Sequence, residues 1–138
     1  MVAAMATLGD VAKIALALPE VTEQRGGHGN RLHWRVADKT FAWERPLTKA
    51  DVKRFGDDYI PTGDIFALST EDLHEKEALL AAGIPGVFTM AHFDGYPSVL
   101  VELRLITKPA LKELIVDAWL TKAPDALAES YLKRRKKR

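Results

Sequence analysis

Apolar residues recur along the chain with two different spacings, and the change from one to the other marks out the elements. Leu8, Val11, Ala12, Ala15 and Leu18 follow the helical period, which gives one face of a helix an apolar stripe. Thr7 and, three residues on, Asp10 form an acidic variant of a capping box at its start, and Pro19 ends it. Glu20 to Asn30 is polar and holds Gly26, Gly27 and Gly29, a composition that predicts a loop. Leu32, Trp34 and Val36 then alternate with Arg31, His33 and Arg35, and after Ala37-Asp38 the pair Phe41 and Trp43 opposes Thr40, Ala42 and Glu44. Two alternating runs with a tight joint predict a β-hairpin.

Arg45 to Asp64 has no clean period, so it is expected as a long loop or a loop holding one short helical turn near Lys49 to Phe55. Ile65 to Ser69 is a short apolar strand, and Ser69 with Asp72 makes a second capping-box-like start for a helix through Ala82, stopped by Gly83 and Pro85. Val87 to Phe93 and Ser98 to Leu105 predict a second hairpin around Asp94-Gly95-Tyr96-Pro97, with Leu100, Glu102 and Arg104 on a wet face. Pro109 opens the clearest helix, striped by Leu111, Leu114, Ile115, Ala118 and Trp119, and Pro124 restarts a short one carrying Leu127, Ala128, Tyr131 and Leu132. Strands that pair by hairpins predict an α+β class: a two-layer sandwich, mainly antiparallel, with helices packed on one face. Trp34, Phe41, Trp43, Val99, Val101, Leu114 and Trp119 are expected in a common core. Residues 1–132 read as a single domain, and 133–138 as a basic tail expected to be disordered.

Composition narrows the function. The chain has 138 residues, 47% of them hydrophobic, enough for one core. It contains no cysteine, which excludes disulfides, thiolate metal sites and thiol catalysis. No apolar run reaches the roughly 18 residues of a membrane span, and Asp10 and Lys13 interrupt the first apolar stretch, so the expectation is a soluble, unexported, cytoplasmic protein. The formal charge of +1 conceals an asymmetry. Six of the 20 basic residues are consecutive at 133–138, so the other 14 face 19 acidic residues and the rest of the chain carries a formal −5. A fold that grips nucleic acid commonly carries its charge within the body.

Candidate chemistry is sparse. His92, Asp94 and Tyr96 lie close enough to serve a metal or a general base. The alternative reading is structural, with Asp94-Gly95 a tight turn and His92 bonding its backbone. Gly26-Gly27-His28-Gly29 lacks the flanking strand and helix of a dinucleotide loop. Neither GxSxG nor a Walker loop is present. Arg31 and Arg35 share one strand face, and Lys39, Arg45 and Lys53 follow; they are either a solvated surface balanced by nearby acids or a surface for phosphates. The tail from Lys133, Arg134 and Arg135 suits nonspecific polyanion contact.

Lys39-Thr-Phe-Ala-Trp43, Glu75-Lys-Glu-Ala-Leu-Leu80 and Phe88-Thr-Met-Ala-His-Phe-Asp-Gly-Tyr-Pro97, followed by Val99-Leu-Val101, Asp117-Ala-Trp119 and Ala123-Pro124, make the chain resemble the MmcQ/YjbR family. The resemblance runs from Leu18 to Tyr131. It implies a small α+β sandwich of the frataxin-like CyaY type and a DNA-binding role, often ascribed to a double-wing surface. The resulting expectation is a non-enzymatic DNA-binding protein without cofactor or metal, weakly sequence-specific at most, monomeric or homodimeric. Its phosphate contacts would be Arg31, Arg35, Lys39, Arg45, Lys53, Lys133, Arg134 and Arg135. The alternative is a module binding a partner or small ligand beside His92, Asp94 and Tyr96.

Overall fold

Thr7 and Asp10 close their capping box: the Asp10 amide donates to the Thr7 hydroxyl at 3.2 Å and the Thr7 amide to the Asp10 carboxylate at 2.9 Å. The free amides of the first turn are thereby satisfied, and α1 (Leu8–Leu16) forms where the spacing places it, burying Val11 and Ala15. The structure is a computed structural model and describes residues 6–27 and 29–136; His28 of the glycine-rich segment lies outside them. The segment after α1 corrects the expected loop. It is a strand, β1 (Val21–Gly26), paired antiparallel with β2 (Arg31–Val36). Its middle residues are all exposed, so the pairing needs no apolar alternation and leaves none in the sequence. The β2 to β3 (Lys39–Glu44) hairpin turns through Ala37 and Asp38, both at positive φ, 49° and 63°, as a two-residue turn matched to the strand twist requires.

Three further strands, β4 (Ile65–Ser69), β5 (Val87–Phe88) and β6 (Ser98–Glu102), complete one antiparallel sheet in the order β1-β2-β3-β4-β6-β5. A bulge sets its two faces. Trp34 lies opposite Ala42 and Arg35 opposite Thr40, so Phe41 is the extra residue. Phe41 and Ala42 therefore both enter the main core, and Trp43 is turned to the other face. The expected common core loses Trp43 for this reason and keeps Trp34, Phe41, Val99, Val101, Leu114 and Trp119. That core is closed by α1 and α4 (Lys108–Lys122), with the Trp119 indole donating to the Pro19 carbonyl at 3.2 Å.

Opposite them, α2 (Lys49–Phe55) and a 3-10 turn at Ala91–Phe93 cover a smaller cluster of Ile65, Ala67, Met90, Phe93 and Leu100, on which Trp43 packs. The α+β class and antiparallel sheet stand as expected. The wet face predicted for the second hairpin does not: β6 lies between β4 and β5 and is buried throughout. Its partner ends at Phe88 because the chain turns into the 3-10 segment. Asp72, not Ser69, caps α3 (Leu73–Ala81) by accepting the Glu75 amide at 2.8 Å. The last helix, α5 (Asp125–Lys136), runs past Leu132 and takes in four of the six basic residues, which favour a helix C-terminus. The expected disorder of the tail is thus corrected for Lys133–Lys136; residues 137 and 138 lie outside the description. No helix among the described residues is long and apolar enough to cross a membrane.

Candidate functional site

The hairpin cations do not form one patch. Arg31 is exposed and sits 3.7 Å from Glu44. Arg35 donates to the Asp38 carbonyl and, at 3.5 Å, to Gln24. Lys39 stands opposite Val36, which faces the main core, and so belongs to the other side of the sheet from Arg31 and Arg35. Arg45 is held inside: it donates to the Pro46 carbonyl at 2.6 Å and to Asp51 at 3.0 Å, and its guanidinium lies 5.7 Å from the centre of the Phe93 ring. Burial works to raise the Asp51 pKa, but hydrogen bonding with Thr48, whose amide donates to the carboxylate, and with Arg45 outweighs it and holds the carboxyl below its ordinary value. Arg45 is thus committed to Asp51 and to packing. Lys53 is exposed on α2.

The C-terminal cations are differently placed. Tyr131 packs on Trp119 with ring centres 5.1 Å apart, and the Arg135 guanidinium lies 5.8 Å from the Tyr131 ring. The core thereby fixes α5, and Lys133, Arg134, Arg135 and Lys136 are exposed along its last turns.

His92, Asp94 and Tyr96 are brought together on the connection between β5 and β6, all exposed. Asp94 (φ −59°, ψ 131°) and Gly95 (φ 79°) make a type II turn closed by the Tyr96 amide on the Phe93 carbonyl at 3.0 Å. The structural reading expected His92 to bond this turn. Lys76 of α3 does so instead, donating to the carbonyls of Phe93 at 2.6 Å and Tyr96 at 2.8 Å. Burial lowers the Lys76 pKa, opposed by the Asp94 charge. The readable signal was a lysine at the helical spacing of Leu79 and Leu80, on the inner side of α3. Between α2 and the turn is a groove of about 220 Å³, lined by Arg54, Phe55, Asp58, Thr89, Met90 and His92 among others. The Thr89 hydroxyl oxygen is buried and, among the described residues, has no hydrogen-bond partner. Among the described residues no group of three His, Asp or Glu is placed to hold a metal.

A second buried acid escaped the sequence reading. Glu102, 2% exposed, accepts from the Tyr59 hydroxyl at 2.7 Å, the Thr62 amide at 2.9 Å and Arg104 at 2.9 Å. Hydrogen bonds to Tyr59 and then Glu102 raise the Arg104 pKa. The network ties the long segment after α2 to β6. A charged residue inside the apolar run from Val99 to Leu103 was its only mark in the sequence.

Fold and site together define a small α+β protein whose most ordered polar groups serve its own loops. The family model described as YjbR matches residues 16–121. "Uncharacterized protein Mb2600" of Mycobacterium bovis is 46% identical over 132 residues, spanning 93% of this chain and 97% of its own, and "Uncharacterized protein Rv2570" of Mycobacterium tuberculosis matches to the same extent. The chain belongs to the YjbR family, as the resemblance implied.

Proposed function

We propose that this protein is a non-enzymatic, cytoplasmic DNA-binding protein that contacts phosphates chiefly through the exposed cations of α5. The observation that carries this is the placement of Lys133, Arg134, Arg135 and Lys136, all exposed, on a helix that packs on Trp119 through Tyr131. Clustered cations displace the counterions of a duplex, and phosphate contacts carry no sequence information, so the binding is weakly specific. Arg31 and Arg35 contribute less, since Glu44 and the Asp38 carbonyl already engage them; Arg45 contributes nothing. The test is a duplex titration at two salt concentrations with the whole chain, with a chain ending at Leu132, and with Arg31 and Arg35 both changed to Glu. Shortening should remove most of the affinity and the double change little. Equal binding by the shortened chain would sink the role given to α5.

One observation favours a second reading. Thr89 lines the groove beside His92, and among the described residues its buried hydroxyl has no hydrogen-bond partner, so a small polar ligand or partner segment that opens the groove would find a donor and acceptor there. If His92→Ala leaves the melting temperature unchanged but abolishes binding of a compound found by thermal-shift screening, the groove reading takes first place.

A further inference from the structure

We propose that β1 is the surface through which two copies of this chain associate, edge to edge, about a two-fold axis at Gln24. The sheet ends at β1 on one side and at the two-residue β5 on the other. All six β1 residues pair with β2 in unbroken register, and no described segment pairs with the outer edge. Edge strands are ordinarily blunted by proline, a bulge, shortness or charged side chains. The sequence Val-Thr-Glu-Gln-Arg-Gly offers only the last, and its two charges, Glu23 and Arg25, are of opposite sign.

Charge selects both the occupant and the register. A two-fold axis normal to the sheet keeps each residue on its own face, so it must pass through a residue and not between two. At Glu23 it would set two carboxylates directly opposite, and at Arg25 two guanidinium groups. At Gln24 it sets Glu23 opposite the partner's Arg25, and Arg25 opposite the partner's Glu23, with Thr22 opposite the partner's Gly26. Opposite charges stabilise such directly facing pairs and like charges disfavour them. Both side chains are exposed; the Trp34 indole donates to Oε1 of Glu23 at 2.8 Å and Nη1 of Arg25 donates to the Asn30 carbonyl at 3.3 Å, so each is oriented through one atom, and among the described residues Oε2 of Glu23 has no hydrogen-bond partner. The contact is isologous and closes on itself as a dimer with one continuous sheet.

Sedimentation equilibrium of the whole chain should show a species of twice 15.3 kDa. Arg25→Glu and Glu23→Arg should each weaken self-association about tenfold or more, while circular dichroism confirms that each is folded. Mixed together, the two variants should form a heterodimer, because each then meets its opposite charges. A wild-type chain that stays monomeric at all concentrations, an Arg25→Glu chain that dimerises as the wild type does, or folded variants that fail to pair on mixing would each overturn the proposal.

Discussion

Lys76 occupies a position on α3 where an apolar residue would fill the space but leave the carbonyls of Phe93 and Tyr96 with only the Tyr96 and Ser98 amides as donors. Lys76→Met tests this, since it keeps an unbranched stem and removes the ammonium. Two carbonyls lose a charge-assisted bond while keeping their backbone donors, and the cost should be about 1–3 kcal/mol, read as a lower urea midpoint at unchanged slope. Asp51 makes the second prediction. Its folded pKa lies below the ordinary 3.8, so its contribution to stability is complete above that value and is lost as pH falls through the depressed one. Asp51→Asn should therefore be less stable than the wild type at neutral pH, and the difference should shrink on acidification below 3.8; a gap that stays constant with pH would contradict the assignment. The Asp94-Gly95 turn was legible because its chemistry is local. Lys76 and Glu102 were not, because apart from Arg104 beside Glu102 their partners stand 17 to 43 residues away and nothing in the spacing connects them. Gly86 belongs with these: a Cβ there would lie 2.7 Å from the Glu102 carbonyl oxygen, a close approach set by tertiary packing.

Elements with their own punctuation were readable. α1 carries a Thr/Asp capping box and α4 has Pro109 just inside its start, whereas α2, expected as a loop or one helical turn, has its own box of Thr48 and Asp51 that escaped the sequence reading. β1 was not readable, since a strand exposed along its middle carries no apolar period, and the displacement of Trp43 was not, since a bulge shifts every later side chain by one. The β2 to β3 turn gives the prediction at this scale. Ala37 and Asp38 hold the left-handed conformation at 49° and 63°, which disfavours alanine by roughly 1–2 kcal/mol. Replacing the pair by Asn-Gly, whose residues accept that conformation, should stabilise the protein by about 1 kcal/mol and raise the midpoint of thermal unfolding by a few degrees. No gain, with the hairpin intact by circular dichroism, would mean that contacts of Asp38 offset the strain; the Arg35 bond to its carbonyl is to the backbone and survives the change.

Across the whole molecule the charges are segregated: a formal −5 over residues 1–132 and six cations after them. The asymmetry was plain in the sequence, whereas its mounting on a helix was not, because a run of like charge ordinarily reads as an unstructured end. Ordering changes the expected behaviour toward DNA. Each phosphate neutralised contributes about −0.9 to the slope of log affinity against log salt, so charge and slope are tied together. Changing Lys133, Arg134 and Arg135 to Glu in the whole chain should weaken duplex binding steeply at low salt and make the slope shallower by about 2–3. Changing Arg31 and Arg35 to Glu should alter the slope by less than 1, since both guanidinium groups already have partners within the hairpin. The opposite ranking would move the contact surface to the open face of β2. A slope unmoved by either set would show that neither cation group carries the binding, and the groove beside His92 would then hold the stronger claim.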